Sequence, residues 1–183
     1  MKFLLESYGE KEPLYFGPPD KKEAFMKWLK KLKHEVHSDG SISIDGDVSF
    51  AYNEFGQIGQ YNSLGRYLVD RLPFNFKKVT GRFFCPSLIN SLEGAPEYVG
   101  GTFGCGSNNS DLTSLEHSPK FVGGDFMCTS IRFDSLEGAP EVIKGEFDSD
   151  QFTDQEYREF VKKRKYVDNK LDKELDVDLG DFS

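Results

Sequence analysis

The sequence predicts an α+β protein organised around a short solenoid, a parallel β coil of about four or five strands with a helix at each end. Three observations support this prediction. A motif of roughly 20 residues recurs along the chain. Apolar residues alternate with polar residues or glycine in the second half of each copy. Amphipathic helical patterns precede and follow the repeats.

The repeat is clearest in its first half, where Ser91–Pro96 and Ser135–Pro140 read SLEGAP and Ser114–Pro119 reads SLEHSP. Each is followed by a similar tail, EYVGGTFGC, KFVGGDFMC or EVIKGEFDS, and fainter copies of the tail end at Cys85 and Phe50. A repeat of this length is typical of a solenoid, because a propeller blade needs about 40 residues or more.

The tail has the period of a β-strand with one buried face. Val99, Gly101, Phe103 and Cys105 fall on one side, and the residues between them fall on the other. One short strand cannot bury its apolar face alone, so the copies are expected to stack in parallel. The aligned cysteines, Cys85, Cys105 and Cys128, are then predicted to form an inward column of structural thiols.

Each end of such a stack exposes an apolar cross-section and needs a cap. At the N-terminal end, a capping-box spacing at Asp20 and Glu23 precedes apolar residues at helical spacing: Phe25, Trp28, Leu29 and Leu32. Thr153 and Glu156 repeat the spacing before a second stripe, Tyr157, Phe160 and Val161. Alternatively, the lysine-rich faces of these helices bind membrane or nucleic acid.

These patterns divide the chain into three parts: an N-terminal segment with capping helix and hairpin (1–43), the solenoid (44–152), and a C-terminal capping helix with acidic tail (153–183). Residues 51–65 resemble an insertion between repeats. The tail from Asp172 is either a solvated end or a segment that docks on a basic groove.

The repeat pattern F-x-C-x-x-N-x-L-T-S-L-E-G-A-P-x-x-V-G-G resembles the leucine-rich-repeat-like proteins of tailed bacteriophages and some bacteria. It is also similar to the short leucine-rich repeats of bacterial secreted effectors. The segments EAFMKWLKKLK, HSDGSISIDGDV and LPFNFKKVTGRFF resemble the helix, hairpin and first repeat of the phage family. The resemblance covers residues 20–150 and implies a leucine-rich-repeat-like fold and a phage origin.

Charge and cysteine usage restrict the class of protein. The net charge of −8 resides mostly in residues 34–152, which disfavours direct binding of nucleic acid and favours a basic protein partner, although an acidic surface also serves solubility. No apolar run is long enough to span a membrane, and the run in MKFLLES is too short for a signal peptide. With three cysteines, we expect a cytoplasmic protein.

No catalytic or metal-binding pattern is found. His34 and His37 in HEVH lack the spacing of the zinc-protease motif, because ligands on one helical face stand four residues apart. Asp148, Asp150 and Asp154 lack the glycine and terminal glutamate of a calcium loop. We therefore expect a non-enzyme with neither cofactor nor metal.

Binding is expected on the outward strand positions, the usual recognition surface of leucine-rich-type solenoids. Apolar side chains at exposed positions are typical of an interface core, and acidic neighbours suit a basic partner. The predicted partner-binding residues are Arg82, Phe84, Thr102, Asp125, Met127, Glu146 and Asp148. Alternatively, Phe84 packs against the 51–65 insertion.

The sequence thus predicts a protein-binding module, and the resemblance implies that it is phage-encoded and acts on a host or anti-phage defence protein. Two alternatives remain open: a structural component of the virion or of its assembly, and an acidic mimic of nucleic acid that blocks a DNA-binding protein.

Overall fold

The computed structural model describes residues 11–50, 70–106 and 111–178, with side chains up to residue 167. It shows two mainly parallel β-sheets and two α-helices, which is compatible with the coarse α+β class. The 51–65 insertion lies outside the described residues.

The helices are α1 (Lys22–Leu29) and α2 (Asp154–Asp178). The first five strands are β1 (Lys33–Val36), β2 (Ile42–Asp45), β3 (Val48–Ser49), β4 (Phe76–Val79) and β5 (Phe83–Phe84). The others are β6 (Tyr98–Val99), β7 (Phe103–Gly104), β8 (Phe121–Val122), β9 (Phe126–Met127), β10 (Val142–Ile143) and β11 (Phe147–Asp148).

Each repeat contributes one strand to each sheet. The six-stranded sheet has the order β1-β2-β4-β6-β8-β10, and the five-stranded sheet has the order β11-β9-β7-β5-β3. All neighbours are parallel except β1 and β2, which form an antiparallel hairpin. The faintest copy of the tail, Ile44 to Phe50, supplies β2 and β3, and so belongs to the series.

The tail was expected to form one strand, but it forms two short strands separated by a bend. Gly100 and Gly101 lie at this bend, where a Cβ on Gly100 would overlap the carbonyl oxygen of Thr80 in the preceding repeat. Gly101 N–H donates to Gly81 O at 2.9 Å, and Gly124 N–H donates to Gly101 O at 2.9 Å. Glycine therefore allows successive backbones to touch where the chain turns from one sheet to the other.

The core lies between the two sheets and contains a ladder of phenylalanine rings. Phe83, Phe103, Phe126 and Phe147 are each at most 3% exposed. Successive centroids are 5.7, 5.3 and 5.6 Å apart, with interplanar angles of at most 16°. Parallel pairing of β5, β7, β9 and β11 places one ring above the next, in the inward register that the alternation predicts.

Helix α1 covers the ladder at its N-terminal end. Phe25 and Trp28 are buried and lie against Phe50, at centroid distances of 6.3 and 5.5 Å. Trp28 is therefore a core residue.

The predicted capping box at Asp20 and Glu23 is wrong. A 3₁₀ turn occupies Pro19–Lys21, and α1 begins only at Lys22, without a side-chain cap. The Asp20 carboxylate instead contacts the Lys21 ammonium at 2.7 Å. Proline fixes φ near −65°, which suits the start of this tighter turn and displaces the helix start past Asp20.

The second capping box forms as predicted. Thr153 N–H donates to Glu156 Oε2 at 2.8 Å, and Glu156 N–H donates to Thr153 Oγ1 at 3.3 Å. Behind it, Tyr157 is 2% exposed and donates its hydroxyl to Pro140 O at 3.0 Å. The helix extends through residues 172–178 of the acidic tail; the last five residues of the tail lie outside the described part.

Candidate protein-binding face

The predicted binding residues lie on the outer side of the five-stranded sheet and on the bend before it. We call this surface the acidic face. Its strand positions, in the order of the sheet, are Ser49, Phe84, Gly104, Met127 and Asp148. The bend positions that precede them are Asp47, Arg82, Thr102, Asp125 and Glu146.

Two apolar side chains lie at the centre of the acidic face. Phe84 is half-buried, and its ring covers Gly104 so closely that a Cβ there would overlap Phe84 Cδ1. Met127, on the next strand, is 39% exposed. The structure thus places Phe84 and Met127 on the strands that flank Gly104, which has no side chain of its own. The two side chains form an apolar patch on a polar surface. The 51–65 insertion, against which Phe84 was alternatively expected to pack, lies outside the described residues.

The bend residues belong partly to the scaffold. Asp47 Oδ1 accepts the Arg82 N–H at 2.7 Å, while its Oδ2 accepts from Arg82 Nη2 at 2.8 Å. The hydrogen bond from the Arg82 side chain is the main reason that the pKa of Asp47 is lowered. This pair therefore joins two repeats, and Arg82 is not a free rim charge.

Asp125 occupies the equivalent position three repeats later and has the same role. Its Oδ1 accepts the Glu146 N–H at 3.0 Å. Asp125 is exposed, as expected of a residue on a binding surface, and it also holds the backbone of the next repeat. Glu146 and Asp148 are exposed, and Thr102 is half-buried beside Gly124.

The sequence prediction missed a second apolar feature, on the outer side of the six-stranded sheet. The rings of Tyr98 and Phe121 stack with centroids 4.8 Å apart and planes 2° apart. Lys78 places its ammonium 5.0 Å from the Tyr98 centroid, a cation–π geometry. The signal was present in the sequence, because these residues precede the buried Val79, Val99 and Val122, and alternation places them outward.

The three cysteines are buried in successive repeats, as predicted. Burial raises the pKa of each thiol well above its usual range. All three are free, and Cys128 Sγ donates to Asp148 O at 3.4 Å. A thiol held protonated and away from solvent is a poor nucleophile and a poor metal ligand.

His34 and His37 lie in and beside the β1–β2 hairpin. His37 Nε2 is 2.7 Å from Ser43 Oγ, and His34 Nδ1 is 2.9 Å from Leu32 O. Within the described residues, no group of three or more His, Cys, Asp or Glu side chains is placed to hold a metal ion.

Comparison with protein-family models, curated proteins and solved structures finds no match for this chain. Neither described helix has the length and apolar character needed to cross a bilayer. The function is therefore inferred from the surfaces described above.

Proposed function

We propose that this chain is a non-enzymatic protein-binding module that uses its acidic face to bind a protein with a basic surface. The observation on which this proposal rests is the apolar pair Phe84 and Met127, which lies among carboxylates. Interfaces combine apolar anchors at the centre with polar residues at the rim. Glu146 and Asp148 supply negative charge at this rim.

The scaffold behind this face supports the proposal. We propose that the stacked repeats form a short leucine-rich-repeat-like solenoid, with α1 and α2 as its end caps. Strand pairing sets the spacing of the repeats, the ladder from Phe83 to Phe147 fills the core behind the face, and the Asp47 and Asp125 hydrogen bonds tie the bends together. A preorganised surface loses little conformational entropy on binding.

The setting of this function is proposed from the sequence resemblance. Similarity to leucine-rich-repeat-like phage proteins supports a phage-encoded protein that acts in the host cytoplasm on a host or defence protein. Its three free thiols suit a reducing compartment.

Quantitative affinity purification from host cells tests the proposal with the wild type and three variants of the full chain. Met127→Glu removes the apolar anchor, and Glu146→Lys with Asp148→Lys reverses the charge of the rim. Lys162→Glu with Lys163→Glu is the control, because it changes the charge of α2 and leaves the residues of the acidic face unchanged. The partner should be retained by the wild type and the control and lost from both face variants. Equal retention by all forms would contradict the proposal.

Kinetics with the purified partner separate the two roles. Reversal of Glu146 and Asp148 should slow association and flatten its salt dependence, because exposed charges act mainly through steering. Met127→Glu should instead accelerate dissociation, because the buried anchor holds the complex together.

The alignment of Asp125, Glu146 and Asp148 on one face also favours a second candidate, a mimic of nucleic acid. A mimic should compete with DNA for the same partner, and its binding should depend on charge almost regardless of Met127. A virion or assembly component is a third candidate, which stoichiometric presence in purified particles would reveal.

A further inference from the structure

The outer sides of the two sheets carry opposite charge. The acidic face holds four carboxylates (Asp47, Asp125, Glu146 and Asp148) against one arginine, Arg82. From β4 to β10, the outer side of the six-stranded sheet holds three lysines and two glutamates, and Lys120 lies 4.0 Å from the Glu97 carboxylate. We call this second surface the basic face, and its charged residues are Lys77, Lys78, Glu97, Lys120 and Glu141.

Each face also has a pair of apolar side chains at its centre. The basic face has the stacked rings of Tyr98, which is 38% exposed, and Phe121, which is half-buried. The acidic face has Phe84 and Met127. Tyr98 and Phe121 belong to neighbouring repeats, whereas Phe84 and Met127 are two repeats apart with Gly104 between them. The apolar centre of the acidic face is therefore one strand wider than that of the basic face.

We propose that the basic face of one copy docks on the acidic face of a second copy. The charges are complementary, and the apolar pairs would cover each other at the centre of the contact. The two surfaces in contact are different, so the association is head-to-tail and adds copies in a ring or an open chain. The proposed protein partner would compete with the second copy for the acidic face.

The contact is expected to be weak and sensitive to salt. Each strand presents few residues on either face, so we expect the buried area to lie below the roughly 800 Å² per partner of a standard stable complex. Exposed charges supply much of the attraction, and salt screens such charges within about 10 Å at 0.1 M ionic strength. Association should therefore appear at high protein concentration and low salt.

Sedimentation velocity on the full chain tests this inference with two variants that impair different faces. Lys77→Glu with Lys120→Glu reverses two charges of the basic face, and Glu146→Lys with Asp148→Lys reverses two charges of the acidic face. All four side chains are exposed, so both variants should keep the wild-type circular dichroism spectrum and melting temperature. Lys162→Glu with Lys163→Glu again serves as the control.

The wild type and the control should show a sedimentation coefficient that rises with concentration, and added salt should abolish the rise. Each face variant alone should associate at least about tenfold more weakly than the wild type. An equimolar mixture of the two should associate again, because the first retains a native acidic face and the second a native basic face. This recovery is specific to a head-to-tail contact.

A wild type that stays monomeric up to millimolar concentration at low salt would overturn the inference. Association that neither face variant weakens, or that the mixture fails to recover, would overturn it as well. None of these results bears on the proposed function, which needs only the acidic face and is tested by loss of a different protein. Loss of that partner from the acidic-face variant with no self-association of the wild type would leave the proposed function standing alone.

Discussion

The ring of Tyr157 lies parallel to the ring of Phe147, with centroids 4.9 Å apart and planes 7° apart. Phe147 is the last phenylalanine of the core ladder and stacks on Phe126 in the same way. Helix α2 thus places an aromatic ring where a further repeat would place its phenylalanine.

The same helix supplies hydrogen-bond partners to the backbone of the last repeat. Phe103 N–H and Phe126 N–H donate to carbonyl oxygens of the following repeat, but Phe147 N–H donates to Asp154 Oδ1 at 3.0 Å. Arg158 Nη2 donates to Gly145 O at 2.9 Å. The equivalent oxygens of Gly101 and Gly124 accept a backbone N–H from the following repeat. Side chains of the first turns of α2 therefore replace both the ring and the hydrogen bonds of the absent repeat.

Loss of the Tyr157 ring should destabilise the whole molecule. We expect Tyr157→Ala to lower the free energy of unfolding by about 3–5 kcal/mol, the usual cost of deleting a buried aromatic ring. Tyr157→Phe keeps the ring and loses only the hydroxyl bond to Pro140 O, about 1 kcal/mol. Urea denaturation measures both. Tyr166→Ala on the same helix, at a 72% exposed position, is the control and should change little. Equal effects at both positions would contradict the end-cap role of Tyr157.

The Asp154 contact should make stability depend on pH in the acid range. Partial burial alone would raise the pKa of Asp154, but the hydrogen bonds from Phe147 N–H and Arg158 outweigh it and leave the pKa below the ordinary 3.8. The stabilising contribution is therefore fully present above the unfolded pKa and is lost as pH falls through the folded pKa. Asp154→Asn should lower stability near neutral pH, and the difference from the wild type should shrink below about pH 4. Asp134→Asn, at an exposed position, is the control; a constant gap for Asp154→Asn would refute the linkage.

The period of the sequence predicted much of the fold, since alternation alone placed Phe103 and Cys105 inside the core. It did not predict the division of each tail into two strands, because a glycine at the Gly101 position fits a straight strand as well as a bend. Contact between Gly100 and Thr80 of the preceding repeat decides this, and it is not a local property of the sequence. The role of Asp125 was missed for the same reason, because its partner N–H lies 21 residues away.

A side chain at Gly100 should destabilise the protein. Gly100→Ala places a Cβ against the Thr80 carbonyl oxygen, a backbone atom that cannot move aside without displacing the neighbouring repeat. We expect a loss of about 1–3 kcal/mol or more, as for overpacked cores. Lys144→Ala is the matched control, because Lys144 has the equivalent position in the last repeat and already carries a Cβ. Thermal melts should separate the two, and a harmless Gly100→Ala would show that the repeats are less closely spaced.

The buried thiols should be protected until the protein unfolds. Because burial raises the pKa of Cys85, Cys105 and Cys128, their reaction with a thiol reagent should be slow in the native state and fast in denaturant. Replacing all three with alanine should keep the fold with a modest loss of stability, about 1 kcal/mol per site. Rapid labelling of native protein, or stoichiometric zinc in the purified protein, would contradict a structural role.

Asp125 and Glu146 should differ in how much they contribute to the free energy of unfolding, although both are exposed carboxylates on the acidic face. Asp125→Ala removes the acceptor of the Glu146 N–H, so we expect a loss of about 1 kcal/mol in the free energy of unfolding. Asp47→Ala should cost a similar amount, because that carboxylate accepts the Arg82 N–H at the equivalent bend. Glu146→Ala should stay within about 0.5 kcal/mol of the wild type. Urea titrations of the three variants measure this order, and a Glu146→Ala loss as large as that of Asp125→Ala would show that the bend hydrogen bond does not stabilise the stack.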